Sequence, residues 1–236
     1  MPVDFRGITA LVLPGTGSDD DYVYRAFAGP LRGVGAALVA PAPQPEHLID
    51  GYLAALDDAA GEGPIVVGGI SIGGAVAVAW ALAHPGRAVA VLAALPPWTG
   101  DPGPAPAANA ARYTASQLRR DGLAATTAQM RASTPPWLAD ELARSWQVQW
   151  PQLPDAMEEA AAYRAPSRTD LQRLAAPLGV AAAVDDPVHP LQVGVEWVTA
   201  APRAALRTVT LAEIGADPAV LGTACLAALA ETPSGP

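Results

Sequence analysis

The sequence predicts an α/β fold in which a mostly parallel sheet is flanked by helices. Two observations lead to this prediction. Short, continuously apolar segments alternate with helical patterns along the chain. Within the apolar segments, apolar and polar residues do not alternate as they would in a strand with one solvent-exposed face. With 236 residues, 51% of them hydrophobic, the chain also carries enough apolar material for one large core.

The first part of the chain contains four of the predicted strands and three helices. The strands are predicted at 8–15, 36–43, 64–69 and 88–96. The helices are predicted at 19–33, 45–61 and 73–83, where Asp residues precede the first and glycines end the first two. A helix lies between each of these strands and the next, as the connections of a parallel sheet require.

The composition and pattern of the sequence change after Pro96. A Pro/Gly/Ala-rich loop is followed by helical patterns only, from about residue 108 to 168. Strands are then predicted at 177–186 and 206–214, and helices at 190–201 and 217–230. We therefore expect a core formed by 1–95 and 168–236, with a small helical cap, residues 96–167, inserted over one edge of the sheet.

Composition and charge exclude several classes of partner. The net charge of −9 argues against nucleic acid and anionic membrane surfaces. The single cysteine, Cys225, cannot form an internal disulfide and is expected in the core. No secretory signal is visible at the N-terminus, which favours a cytoplasmic protein. No His or Cys pair has metal-ligand spacing, so no metal or other cofactor is expected.

The stretch 65–83 contains 19 uncharged residues and is long enough to span a bilayer. It divides, however, into a short β-branched run, a pair of glycines and an Ala-rich helical pattern. A buried strand followed by a turn and a buried helix has the same composition, and the other apolar strands need such a partner. We therefore predict a core element and no membrane span.

A reactive serine is predicted between that strand and that helix. Gly69-Ile70-Ser71-Ile72-Gly73 is a G-x-S-x-G motif. At a tight strand-to-helix turn only small neighbours fit, and the serine hydroxyl is exposed above the carboxyl end of the sheet. The amide of Ile72 then points to where an oxyanion would develop.

With this motif in this setting, the chain resembles the α/β-hydrolase family over nearly its whole length. The segment LVLPGTGSDDDY is similar to the strand and turn that supply the second oxyanion amide, which the resemblance assigns to Thr16. The segment VDDPVHP is similar to the loop that carries the triad acid, which implies Asp186, with Asp185 as the less favoured choice. The resemblance implies a serine hydrolase with a helical cap.

The sequence departs from the family pattern at the histidine. The family's base follows the last strand, in a Gly-His context, and here the matching residue is Ala216. On this match the base position is vacant, and Ala216 is either a replaced histidine or a natural loss. His189, in the loop of Asp186, and His47 remain as substitute bases, whereas His84 is expected to cap a helix.

The predicted function is therefore hydrolysis of a small ester, thioester or amide through an acyl-enzyme, inactive or impaired as the sequence stands. The alternatives are a non-catalytic binding protein with the same pocket, or a lyase or isomerase that uses it without covalent catalysis. In each case the partner is a small molecule, and a homodimer is left open. The tryptophans between 96 and 151 either line an apolar acyl pocket or only pack the cap helices together.

Overall fold

The computed structural model of the chain describes residues 4–233, so the first three and last three residues of the predicted core lie outside it. Six strands form one sheet in the order β2-β1-β3-β4-β5-β6, and every neighbouring pair is parallel. The strands are β1 (Thr9–Leu13), β2 (Ala37–Val39), β3 (Ile65–Ile70), β4 (Ala88–Ala94), β5 (Leu178–Ala183) and β6 (Ala204–Val209). The predicted parallel sheet is confirmed.

Helices cover both faces of this sheet, because the central strands are apolar throughout. Every residue of β3 and β5 is buried. One face packs against α2 (Leu48–Ala59), α3 (Ile72–Ala83) and α8 (Leu191–Ala200). The other face packs against α1 (Asp20–Gly33) and α10 (Ala219–Ala230), and Cys225 is fully buried there, as expected.

The segment between β4 and β5 is helical. It contains α4 (Pro106–Ser133), α5 (Pro136–Gln149), α6 (Leu153–Ala162) and the short α7 (Arg168–Leu171). We call α4, α5 and α6 the helical insert. Its own apolar cluster joins Leu118 of α4, Trp146 of α5 and Met157 of α6. The position of the insert agrees with the predicted cap, and its assignment as a separate domain stays a prediction.

The segment after β6 differs from the prediction. We expected a strand to Ile214, but the strand ends at Val209 and α9 (Leu211–Ala216) begins directly after it. A capping box starts this helix: the Thr210 hydroxyl accepts from the backbone of Glu213, and the Glu213 carboxylate accepts from the backbone N–H of Thr210. The apolar residues of this segment fit the periodicity of a strand as well as that of a helix. The capping box favours the helix.

Two other expectations from the sequence are confirmed. Within residues 4–233 no helix combines the length and the apolar character that a bilayer span needs. His84 ends α3, and its Nδ1 lies 2.9 Å from the carbonyl oxygen of Trp80, as expected for a histidine at a helix C-terminus.

The turn from β3 into α3 is made by glycines that lie in direct contact with other backbone. A Cβ atom at Gly73 would lie 2.5 Å from the carbonyl oxygen of Pro14 and 2.6 Å from that of Leu13. At Gly69 it would lie 2.2 Å from the carbonyl carbon of Gly73. The two glycines are therefore required by close packing of β1, β3 and α3.

This packing predicts the effect of adding one methyl group. We expect Gly73→Ala to lower the free energy of unfolding by about 1–3 kcal/mol or more, because backbone atoms of β1 cannot move aside without distorting the sheet. The matched control is Gly33→Ala at the end of α1, where a Cβ would meet nothing within 4 Å. Urea unfolding at constant m-value measures both, and equal stability of the two variants would contradict the packing argument.

Candidate active site

Ser71 lies at the end of β3 and directly before α3, in a backbone conformation that few residues adopt. Its φ of 52° and ψ of −119° lie outside the regions that most L-residues favour. Its N–H donates to the carbonyl of Ala94 at 2.9 Å, and its carbonyl accepts from Ala75. The side chain makes no capping hydrogen bond to α3. This turn directs the hydroxyl away from the helix and over the carboxyl end of the sheet.

The Ser71 hydroxyl is the first member of a chain of side-chain hydrogen bonds. Its Oγ lies 2.9 Å from Nε2 of His189, and Nδ1 of His189 lies 2.8 Å from Oδ2 of Asp186. Because an ionised carboxylate only accepts, Nδ1 carries the proton toward Asp186 and Nε2 is left to accept the serine's proton. The side chains of His189 and Asp186 are both largely buried.

The loop after β5 holds the acid and the imidazole together within four residues. Oδ1 of Asp186 accepts from the backbone N–H of Val188 at 2.7 Å, which closes a tight turn. The neighbouring Asp185 turns outward, and its Oδ1 accepts from the N–H of Leu211 at 2.8 Å, at the start of α9. Of the two aspartates, only Asp186 reaches His189.

Asp186 is held as a carboxylate. Burial alone would raise its pKa, but the hydrogen bond from His189, its electrostatic attraction and the backbone N–H groups of Val188 and His189 outweigh burial. The net effect is a pKa below the ordinary value of 3.8. The carboxylate is therefore available to orient the imidazole and to balance a positive charge on it.

Two residues near Ser71, Ile72 and Thr16, carry the backbone amides that the sequence proposed as further donors. Ile72 is the first residue of α3, so its N–H has no partner within the helix. Thr16 lies in a turn, Gly15–Ser18, closed by a hydrogen bond from the N–H of Ser18 to the carbonyl of Gly15 at 3.0 Å. We call this the glycine turn; Gly17, with φ of 69°, is its third residue. A Cβ at Gly15 would lie 3.5 Å from Cβ of Ser71, which puts the turn beside the serine.

A cavity of about 480 Å³ lies above these groups and beneath the helical insert. Thr16, Ser71, Asp186 and His189 line its floor. The insert supplies most of the remaining wall, which is mainly apolar. Its tryptophan, leucine and methionine side chains are Trp137, Leu138, Leu142, Trp146, Met130 and Met157.

The tryptophans of the predicted cap divide between the two roles suggested by the sequence. Trp98, Trp137 and Trp146 line the cavity, whereas Trp150 does not. Trp98 also packs the structure together, because its indole N–H donates to the carbonyl of Tyr163 at 3.2 Å. These tryptophans therefore have both roles suggested by the sequence, and Trp98 combines the two by lining the cavity and packing the structure.

The charged groups around the cavity are already paired. Arg144 lines the wall, and its guanidinium contacts the carboxylates of Asp19 and Glu141. Asp19 also caps α1 by accepting from the N–H of Tyr22 at 3.1 Å, as its position before a helix predicted. Among residues 4–233 no group of three His, Cys, Asp or Glu side chains is placed to hold a metal ion.

Comparison with known proteins gives the fold its name. Neither a protein-family model nor a curated protein matches the sequence. Among solved structures, an α/β-hydrolase enzyme, MGS-M2 from a Medee basin deep-sea metagenome, superimposes with a TM-score of 0.71 at 12% identity, over 100% of this chain and 94% of that one. The chain has the α/β-hydrolase fold.

Other solved structures agree with this assignment over most of the chain. MenH from S. aureus gives a TM-score of 0.74 at 14% identity, covering 96% of this chain and 94% of its own. A carboxylesterase of the thaumarchaeon Nitrososphaera gargenis gives 0.70 at 17% identity, covering 88% and 83%. At this level of identity the comparisons establish the fold and leave the chemistry to the site itself.

Within the α/β-hydrolase fold of this chain, the imidazole does not come from the segment after β6. Ala216 is the last residue of α9, is exposed, and does not line the cavity. Ala216 therefore lies outside the cavity, and it is His189, which the sequence offered as a substitute base, that lies within hydrogen-bond distance of Ser71 from the loop after β5. The capping box that starts α9 is the physical reason, because it converts the expected histidine loop into a helix.

His47 does not approach the serine. It precedes α2, its side chain is exposed, and it is not part of the cavity wall. The signal that distinguishes His189 was present in the sequence. An aspartate and a histidine three residues apart, each next to a proline, lie in one short loop at the carboxyl edge of the sheet.

Because Asp186 contacts His189 and Asp185 does not, we predict that substitutions of the two aspartates have unequal effects. We expect Asp186→Asn to slow labelling of Ser71 by a fluorophosphonate by about 10²–10⁴, because an amide favours the wrong tautomer of His189. The matched control, Asp185→Asn, alters only the contact with Leu211. We expect it to stay within about threefold, since a loop contact is weakened while the hydrogen-bond chain is kept. Equal slowing in both variants would contradict this assignment.

Proposed function

We propose that the protein is a serine hydrolase that cleaves small, uncharged esters through an acyl-enzyme. In this proposal Ser71 is the nucleophile, His189 the general base and Asp186 the residue that orients and charge-balances the imidazole. The observation that supports it best is the continuous hydrogen-bond chain Ser71–His189–Asp186, which opens into a mainly apolar cavity. Thioesters and amides are related substrates that the same chemistry accepts.

In the first half of the proposed reaction, Oγ of Ser71 attacks the carbonyl carbon while its proton moves to Nε2 of His189. The carbonyl oxygen becomes an oxyanion, and the amides of Thr16 and Ile72 donate to it. The intermediate collapses as the bond to the alkoxy oxygen breaks. His189 returns the proton to the leaving alcohol, and the acyl group stays on Ser71.

In the second half, a water molecule takes the place of the alcohol. His189 accepts a proton from the water as its oxygen attacks the acyl carbon, and the same two amides stabilise the second oxyanion. When the bond to Oγ breaks, His189 returns the proton to Ser71 and the carboxylic acid leaves. The enzyme is restored, and the overall reaction consumes one ester and one water.

The proposal differs from the sequence-based expectation of an impaired enzyme. That expectation rested on the alanine at position 216. With His189 within hydrogen-bond distance of Ser71, the site contains a nucleophile, a base and an orienting acid without any residue at 216. We therefore propose an active hydrolase.

The size and lining of the cavity favour a substrate with an uncharged acyl group. Its volume of about 480 Å³ lies in the range of small-molecule sites. Arg144, which lines the wall, already pairs with the carboxylates of Asp19, Asp21 and Glu141, so an anionic substrate would compete with all three for it. The tryptophan and methionine side chains favour alkyl or aromatic acyl groups. The cytoplasmic location and the homodimer stay predictions.

Hydrolysis of p-nitrophenyl butyrate tests the proposed function. We expect saturable release of p-nitrophenol, and a fall in kcat by about 10⁴–10⁶ in both Ser71→Ala and His189→Ala, because nucleophile and base act as one unit. Ala216→His, at an exposed position outside the cavity, is the matched control and should change kcat less than about twofold, as distant surface substitutions usually do.

Three other outcomes would contradict the proposal. A wild-type protein that binds but does not turn over any ester of a chain-length series would favour the non-catalytic binding protein. Turnover that survives in Ser71→Ala would favour a lyase or isomerase mechanism. A large gain of activity in Ala216→His would restore the vacant-base interpretation.

The lowered pKa of Asp186 predicts the shape of the pH profile. The carboxylate ionises below the ordinary Asp value and so stays charged as the pH falls through the weakly acidic range. Protonation of Asp186 should therefore not contribute in that range, and log(kcat/KM) should fall with a slope no steeper than one on the acidic side. A limiting slope of two between pH 7 and 5, measured in a constant-ionic-strength buffer, would contradict the lowered pKa of Asp186.

A further inference from the structure

Helix α5 of the insert contacts three consecutive residues, namely the last two of the glycine turn and the one after it. The contacts come from Trp146, Gln149 and Arg144, which reach Gly17, Ser18 and Asp19 respectively. The turn carries Thr16, whose amide the proposed mechanism uses. No other helix of the insert makes a hydrogen bond to this segment among the described residues.

The strongest of the three contacts is an ion pair with two hydrogen bonds. Nη1 of Arg144 lies 2.5 Å from Oδ2 of Asp19, and Nη2 lies 3.0 Å from Oδ1. Such a two-pronged contact fixes direction as well as distance. The hydrogen bond to Asp19 raises the pKa of Arg144 above its ordinary value. Glu141 holds the same guanidinium from the preceding turn of α5 at 2.9 Å.

A second contact holds the backbone of the turn itself. The side-chain amide of Gln149 donates to the carbonyl of Ser18 at 2.9 Å and to the hydroxyl of Ser145 at 2.7 Å. Gln149 is buried. The bond fixes the Ser18 carbonyl, and the N–H of the same residue closes the turn onto Gly15.

The third contact is steric. The indole of Trp146 lies directly over Gly17, since a Cβ there would be 2.8 Å from Nε1 and 3.2 Å from Cε of Met157. Gly17 has a positive φ, so the turn needs glycine for its conformation and for the tryptophan above it. The indole thus covers the turn, and α5 contacts the turn or the residue after it through three side chains.

We propose that Arg144 and Gln149 are positioning residues, which hold the glycine turn so that the Thr16 amide points at the developing oxyanion. The inference rests on the proposed hydrolase function. Its consequence is that the helical insert does more than enclose the substrate: its seating on Asp19 and Ser18 completes the oxyanion site. A loosely held N–H donor stabilises the oxyanion less, because it must reorganise during the reaction.

The experiment compares Arg144→Leu and Gln149→Leu with Arg131→Ala. Arg131 of α4 pairs with Asp140 of α5 at 2.6 Å, but it lies outside the cavity and contacts no residue of the turn. The control thus removes an ion pair between α4 and α5 without touching the proposed contact. Arg144→Lys keeps the charge and loses the two-pronged geometry.

The kinetic readout is kcat for p-nitrophenyl butyrate per serine labelled at completion by a fluorophosphonate, so that unfolded protein is not counted. We expect a fall of about 10- to 100-fold in Arg144→Leu and Gln149→Leu, with KM within about threefold, since donor placement acts in the transition state. Arg144→Lys should recover part of the loss, and Arg131→Ala should stay within about twofold, as exposed pairs contribute little.

The structural readout is hydrogen exchange of a peptide spanning the glycine turn, which reports on positioning whether or not any ester is turned over. Exchange should speed up in Arg144→Leu and Gln149→Leu and stay unchanged in Arg131→Ala. Unchanged exchange in both leucine variants, or a loss expressed only in KM, would overturn the proposal. Absence of turnover in the wild-type protein would instead refute the hydrolase function, and the exchange result would still decide the positioning role.

Discussion

The hydrogen bond between Ser71 and His189 is the contact on which the rest of the account depends. It joins side chains 118 residues apart at a distance of 2.9 Å. Each partner is fixed by a different local constraint: a positive φ at the serine, and the short turn from Asp186 to Val188 before the histidine. Neither constraint alone makes a site. The sheet brings them together, because β3 and β5 are separated only by β4 and end at the same edge.

The sheet also explains why an unusual position for the imidazole is tolerated. The loop after β5 already had to carry Asp186 to this edge. A histidine three residues later can turn back toward the serine without help from a second loop. The segment after β6 supplies no side chain to the Ser71–His189–Asp186 hydrogen-bond chain. It forms α9, anchored at its start by Asp185 and capped by Thr210 and Glu213, and Leu211 and Ile214 of this helix line the cavity. The three side chains of the hydrogen-bond chain therefore come from two segments, those that follow β3 and β5.

Local features of this molecule were predictable from sequence, and features that depend on distant contacts were not. The elbow at Ser71 was predictable because Gly69 and Gly73 encode its steric requirement within five residues. The parallel sheet followed from continuous apolar strands, whereas Asp186 followed from the resemblance of its loop to the acid loop of the α/β-hydrolase family. His189 could be offered only as a substitute base, since the direction of its ring depends on how the loop closes. The contact of Arg144 with Asp19 spans 125 residues and left no local signal.

In the proposed mechanism, Ser71 attacks a carbonyl while the amides of Thr16 and Ile72 receive the charge. A crystal structure of the protein after reaction with an alkyl fluorophosphonate tests this mechanism most directly. We expect phosphorus bonded to Oγ of Ser71, the phosphonyl oxygen within about 3 Å of both amide nitrogens, the usual length of such hydrogen bonds, and the alkyl chain in the cavity under α5. An unmodified Ser71, or an adduct whose phosphonyl oxygen points away from both amides, would contradict it.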